Sequence, residues 1–396
     1  MLLIVILIFI FTRPFIPCLS YPAFDRYYAL GLIAFCLLFI KSKKADPKSL
    51  AGEKFLLIFF LTIIASSFIS LNRYKSLEQL PKFISYFFIF YAVYLADRQQ
   101  RQKILAALIL TAGAVSLFAI VWFYFGAEFL LLYLQKNQIS YPFAEQFIGR
   151  QRAFMPFILP SALAGYLMMM LAVTVGYLIQ DNKQRFSGLN LKNILLSLSI
   201  LLMISAVLLT KSTGAWLSIF LALFIFMILS GLINEKTALV VLILQLAFMS
   251  LFILRSFNTE LATSSAYSIQ NRLTFWKGTL AVILKHPVSG VGLGNLPFVQ
   301  SKFTHNSYLQ IWAEMGIVAI ASLLLFLSKS LKNLVSKNLA KNKIFAGLII
   351  AHLFFLIHNL IEFSFFLPEV CVFWWIILAL LLGEFKLGVS QNKSGA

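Results

Sequence analysis

Apolar runs of 15 to 24 residues recur along the whole chain, and they leave few folds open. A helix of that length crosses most of a bilayer's hydrocarbon core. In lipid, only helices and closed barrels satisfy their own backbone groups. The runs are continuous instead of alternating, which selects helices. Charged residues make up 12% of the 396, against about a quarter in soluble domains. The chain therefore reads as an all-α, polytopic integral membrane protein, with residues 1–396 forming a single membrane domain. Twelve transmembrane helices are predicted, at 1–12, 27–40, 54–71, 82–96, 103–125, 157–180, 193–210, 214–232, 237–254, 307–328, 344–364 and 369–386. The N-terminus lacks a basic leader and a small-residue cleavage site, so it reads as a first span and not as a removed signal.

The net charge of +19 invites a nucleic-acid reading, but the placement of the charge argues otherwise. Of 33 Lys and Arg, 19 fall in short connections on one side of the alternating spans (41–54, 97–103, 181–192, 234–236, 329–343 and the C-terminal tail). The other side holds 14, five of them in one long loop, and long loops weigh little in the positive-inside rule. The basic excess is thus a topology signal plus attraction to anionic membrane lipids. It puts both termini in the cytoplasm and the segments 126–156 and 255–306 outside. Within the second, Ile269, Leu273, Trp276, Leu280 and Ile283 recur at helical spacing, flanked by Arg272 and Lys277. That pattern predicts an amphipathic helix lying on the membrane surface and stopped by Pro287.

Polar and ionisable groups gather just beyond that helix. Gly290, Gly292 and Gly294 form a turn without the strand or Lys-Ser/Thr of a phosphate loop, so it reads as a flexible loop closing over a site. His305 then stands at the N-terminus of the tenth predicted span, where the helix end favours the neutral imidazole that a base requires. The plainer alternative is a capping residue. Glu314 lies about half a turn out of phase with His305 and shares a face with Asn306 and Gln310. A carboxylate inside a span faces a polar interior, as a functional group or as a structural hydrogen-bond partner. His358 and Glu362 are spaced i, i+4 on the eleventh predicted span, which puts them on one face at the depth of His305. Arg150, Arg152, Lys211 and Arg272 fall on the outer side, against the usual bias. This suggests an anionic ligand, although each alone is equally consistent with snorkelling to headgroups. Cys18, Cys36 and Cys371 form no metal-type or disulfide spacing, and no metal or other cofactor is expected.

Together these residues resemble the O-antigen ligase/polymerase superfamily of bacterial inner-membrane glycosyltransferases, over residues 150–385. The central pattern is Pro287, Gly290, Gly292, Asn295, then His305-Asn306, nine residues and Gly316, with Glu314 between. Ala319 stands where ligases often have a second glycine. Arg272 and Trp276 match an R-x-x-x-W pattern, HNLIEF (358–363) followed by Pro368 matches a His-x-x-x-Asp/Glu-Phe pattern, and Arg152 with PSALA (160–164) matches an upstream one. In TKSTGAWL (210–217) the family's usual arginine is Thr213, and Lys211 supplies charge without a guanidinium fork. The resemblance implies a GT-C-like, metal-independent, inverting enzyme with its active site facing the periplasm. It would take a glycan from undecaprenyl pyrophosphate and pass it to lipid A-core or to a growing polysaccharide. It also implies His305, Arg272 and Glu314 as catalytic, with Arg152, Arg150, Lys211, Asn306, His358 and Glu362 binding substrate. An O-antigen ligase of lipopolysaccharide biosynthesis is favoured, an O-antigen or exopolysaccharide polymerase is the near rival, and a membrane transporter is the rival of another class.

Overall fold

The computed structural model describes residues 2–43, 54–138, 142–184, 190–234, 261–297, 303–335 and 342–393, with scattered positions between 236 and 250. It is all-helical, with no strand among the described residues. The first half contains α1 (Leu2–Thr12), α2 (Pro22–Ser42), α3 (Lys54–Phe68), α4 (Arg73–Tyr94), α5 (Arg98–Val121), α6 (Ala127–Lys136) and α7 (Pro142–Gly149). Next come α8 (Pro160–Gln184), α9 (Leu191–Thr210), α10 (Thr213–Leu229) and α11 (Leu261–Lys285). The chain closes with α12 (Ser307–Met315), α13 (Ile317–Val335), α14 (Lys343–His358) and α15 (Pro368–Lys393). Among the described residues, Pro22–Ser42, Arg98–Lys136, Pro160–Gln180 and Leu191–Thr210 are long and apolar enough to cross a membrane. Leu2–Phe15, Lys54–Phe68, Thr213–Leu229, Lys343–His358 and Pro368–Gly383 are shorter apolar helices. The predicted span 237–254 falls largely outside the described residues, as do 44–53, 298–302 and 336–341.

The centre of the bundle is α15, buried on all sides from Val370 to Leu381. A helix apolar around its whole circumference belongs inside, and α15 packs on α4, α14 and α8. Its Trp374 and Trp375 rings meet at 4.7 Å and are enclosed by Phe60, Phe90, Phe355 and Phe365. Helices α8 and α14 approach closely. A Cβ on Gly347 would come within 2.5 Å of the Ala172 carbonyl, and one on Gly176 within 2.4 Å of that of Lys343. Without an interhelical hydrophobic drive in lipid, small residues let backbones approach closely. That crossing brings the end of α14 against the start of α8.

Three predicted segments differ from the structure. The span predicted at 103–125 runs on, since beyond α5 the helix continues through a π turn at Trp122–Gly126 into α6. The span predicted at 307–328 is two helices, α12 and α13, parted at Gly316. The span predicted at 344–364 ends at His358, so Glu362 lies in the following turn and does not share a helical face with it.

The break at Gly316 has a visible cause. Gly316 has φ +83 and ψ 176, and the carbonyls that would continue the helix are taken by the glycine turn. Val291 N–H donates to Ala313 O at 2.9 Å, Gly292 N–H to Glu314 O at 2.8 Å, and Ile317 N–H to Pro287 O at 3.0 Å. The opposite edge of the turn joins the α3–α4 connection, through Leu71 N–H to Val291 O at 3.2 Å, and the first turn of α4, through Ser76 Oγ to Leu293 O at 3.0 Å. The turn is therefore a pinned strut between two helix pairs. This corrects the expectation of a flexible loop.

Connections expected on one side of the spans do meet one another. Arg13 reaches Glu369, Arg152 reaches Thr210, and Ser307 reaches Glu362. At the other end Lys43 pairs with Asp97 at 3.0 Å, and Lys343 N–H donates to Gln180 at 2.9 Å.

Candidate functional site

The site is built from four short stretches that the bundle brings to one end. Helix α11 supplies Arg272 and Phe275. The entry to α12 supplies His305 and Ser307. The α14–α15 turn supplies Asn359 and Glu362, and the entry to α8 supplies Arg152.

Ser307 locks two of these together. Its N–H donates to Asn359 O at 2.9 Å and Glu362 O at 3.0 Å, and its Oγ donates to Asn359 Oδ1 at 2.6 Å. Asn359 Oδ1 also accepts from Phe365 N–H at 2.9 Å. The α12 N-terminus and the backbone of Glu362 are thus one rigid unit. Phe303 stacks on Phe363 at 4.2 Å across the same junction.

His305 is held by backbone conformation and by rings. Its φ is +53, a left-handed value sparsely populated by residues with a Cβ. The imidazole stacks on Phe275 at 6.1 Å and meets the Phe363 edge at 4.9 Å. Nδ1 forms no hydrogen bond among the described residues and points toward Glu362 Oε2 at 3.8 Å. The other Glu362 oxygen, Oε1, accepts from Arg272 Nη2 at 2.7 Å. Glu362 is buried (side chain 6% exposed), whereas Arg272 and His305 remain 25% and 28% exposed. Burial alone would raise the Glu362 carboxyl, but the facing His305 imidazole and the Arg272 guanidinium outweigh it and bring the group down to about 2. It is therefore a fixed anion at neutral pH.

Arg152 completes the charge set. Its Nε donates to Thr210 O at 2.8 Å, and its guanidinium lies over Phe147 at 5.8 Å. Burial pulls its pKa down to about 10; Glu362 opposes this, and Arg150 and Arg272 add to it. Arg152 therefore feels the same carboxylate as Arg272. The site carries more positive than negative charge, and the Arg272 and His305 side chains are open to a ligand.

Other predicted residues lie differently. Asn306 caps α12, its Oδ1 accepting from Tyr308 N–H at 3.0 Å and Leu309 N–H at 3.1 Å. Glu314 is buried and holds the glycine turn, accepting from Gly294 N–H at 2.9 Å and Gln310 Nε2 at 2.8 Å. Those contacts are with the strut and with α12 itself, and neither is with His305. Lys211, at φ +51, ends α9 and donates to Arg150 O at 3.1 Å. The Arg150 guanidinium faces the Gln146 side-chain oxygen at 3.0 Å once that amide is oriented to accept. His358 is buried beside Gly165, with Nδ1 3.4 Å from Ser218 Oγ. The surface stripe of α11 is divided, with Leu273 and Leu280 exposed and Ile283 buried against Val291 and Leu296.

Nothing in the sequence singles out Ser307 and Asn359, although both sit inside the motifs around His305 and His358. The sequence reading also misses a buried cluster in which Arg13 Nη2 lies 2.6 Å from Asp25 and 3.4 Å from Glu369. Isolated charges beside apolar runs were the available signal. Among the described residues, no three His, Cys, Asp or Glu side chains converge as metal ligands do.

Residues 198–324 match the family model described as O-antigen ligase. The match covers about a third of the chain. No curated protein matches the chain. The O-antigen ligase segment includes Lys211, Arg272, His305, Asn306 and Glu314, and it leaves Arg150, Arg152, His358 and Glu362 outside. The fold brings Glu362, from outside the matched segment, to Arg272 and His305 within it, and sets Arg152 within electrostatic reach of Glu362.

Proposed function

We propose that this membrane protein is an O-antigen ligase, an inverting, metal-independent glycosyltransferase of the bacterial inner membrane with a GT-C-like bundle of twelve spans. Its site faces the periplasm, as the Lys/Arg asymmetry of the connections supports. The donor is a glycan on undecaprenyl pyrophosphate, and the acceptor is a hydroxyl of lipid A-core. The observation that carries this reading is the cluster of Arg272, Arg152, Glu362 and His305.

The chemistry requires a base at the acceptor and positive charge at the leaving group. The acceptor oxygen bonds to the sugar's anomeric carbon while the bond from that carbon to the carrier pyrophosphate breaks. The bonding pair leaves with the pyrophosphate, whose developing charge preorganised cations stabilise. Arg272 and Arg152 supply guanidinium forks suited to phosphate oxygens. His305 takes the acceptor proton on Nε2, since Nδ1 faces Glu362. His358, Lys211 and Arg150 shape the surrounding walls, and Asn306 and Glu314 position α12 and the strut.

A lipopolysaccharide gel from a deletion strain tests the assignment. Loss of the whole O-antigen ladder, restored by wild type and not by Arg272→Ala or Arg272→Lys at equal protein level, is expected. Single-unit caps would assign a polymerase instead. A normal ladder with Arg272→Ala would remove Arg272 from the donor site.

A further inference from the structure

We propose that Glu362 is a donor-sensing positioning residue, passing from Arg272 to His305 when a diphosphate takes the Arg272 fork. This rests on the reading of the site as one that binds a lipid diphosphate, and it adds an order of events that the reading does not require.

One carboxylate faces two claimants at unequal distance. Glu362 is 2.7 Å from Arg272 and 3.8 Å from His305 Nδ1. The second distance is nearly an ångström beyond a hydrogen bond, so His305 lacks the contact that would fix its tautomer. Arg272 meets Glu362 through a single nitrogen, and the guanidinium is 25% exposed. A diphosphate offers several oxygens and more charge than one carboxylate, and a guanidinium fork prefers two-point contact. As Arg272 turns to such a ligand, Glu362 loses its near partner.

The surroundings decide which group then moves. The Glu362 backbone is pinned by the Ser307 N–H at 3.0 Å, which leaves only its side chain free. His305 is confined by the Phe275 and Phe363 rings and by its φ of +53. The Glu362 carboxylate therefore closes the gap. Once in contact, it holds a proton on Nδ1 and leaves Nε2 free for the acceptor hydroxyl, as carboxylate–imidazole pairs do in hydrolases. The base is completed only when a donor is present, and every proton stays within the acceptor, His305 and Glu362.

The test separates binding from turnover, with farnesyl pyrophosphate as the diphosphate probe on purified protein in detergent. Removing the competing carboxylate in Glu362→Gln is expected to tighten probe binding about three- to tenfold, the scale of one partly exposed charge-assisted bond. Glycan transfer should fall about tenfold or more, so the donor KM and kcat decrease together. In an Arg272→Ala background the tightening should vanish, whereas a general gain in positive charge would persist through Arg152. Glu362→Asp keeps the buried charge, withdraws it by one methylene, and carries the same expectation if Glu362→Gln does not fold. Unchanged or weaker probe binding in these variants, or tightening that survives Arg272→Ala, overturns the switch. A wild-type protein that binds the probe but transfers no glycan overturns the ligase reading and leaves the Arg272–Glu362 competition standing.

Discussion

Replacing Gly316 by alanine isolates what the helix break contributes. Gly316 has φ +83, and a Cβ there would lie 1.8 Å from Val288 O and 2.6 Å from Val288 C, both backbone atoms. The dihedral alone costs about 1–3 kcal/mol for a residue with a Cβ. The contact cannot be relieved by a rotamer change, so the strut must lift from α12 and α13. Lifting it breaks the Val291–Ala313, Gly292–Glu314 and Ile317–Pro287 bonds. At about 1 kcal/mol net each, these bring the total to about 4–6 kcal/mol, comparable with the whole stability of many folded domains. Gly231 provides the control. Its φ is +66 with nothing within 4 Å of an added Cβ, so Gly231→Ala incurs the backbone cost alone, about 1–2 kcal/mol. Thermal unfolding in detergent, read by tryptophan fluorescence, should place Gly316→Ala well below Gly231→Ala, and Gly231→Ala slightly below wild type. Glycan transfer should follow the same order, because the strut pins the C-terminal end of α12, whose other end carries the site. Equal melting of the two variants would falsify the account of the turn as a pinned strut.

His305→Ala should fold and insert normally, since its Nδ1 forms no hydrogen bond among the described residues; transfer should drop about 10²–10⁴-fold, the weight of a general base. A well-expressed variant with near-wild-type transfer would reassign the base. Glu314→Gln should retain transfer within about threefold, because an amide oxygen can still accept from Gly294, while Glu314→Ala should lower the melting temperature. A Gln variant as inactive as His305→Ala would make Glu314 a catalytic group. Glu362 sits below its ordinary carboxylate value, so its stabilisation is fully present above about 4.5 and is lost as pH falls toward about 2. Acid melts of wild type should therefore steepen in that window, and Glu362→Gln should flatten the slope.

Much of the architecture was legible from the apolar runs, because satisfying a backbone in lipid leaves helices as the only answer to continuous apolarity. Arg272, His305 and Glu362 were legible as candidates because polar groups at membrane depth are costly and few. Their grouping was not. Glu362 was read on the helix of His358 because i, i+4 spacing holds only while a helix continues, and the helix ends at His358. Where it ends was decided by Asn359, whose side chain is engaged by Ser307 from 52 residues away. The break at Gly316 likewise depends on carbonyls claimed by residues 291 and 292, a long-range pairing that leaves no local periodicity. Sequence by itself determined that this chain is a helical membrane protein and which residue types could carry charge-transfer chemistry. Only the tertiary structure decided that Glu362 lies between Arg272 and His305 and that Glu314 belongs to the strut. Hydropathy is a property of each segment, whereas a shared carboxylate is a property of which segments meet.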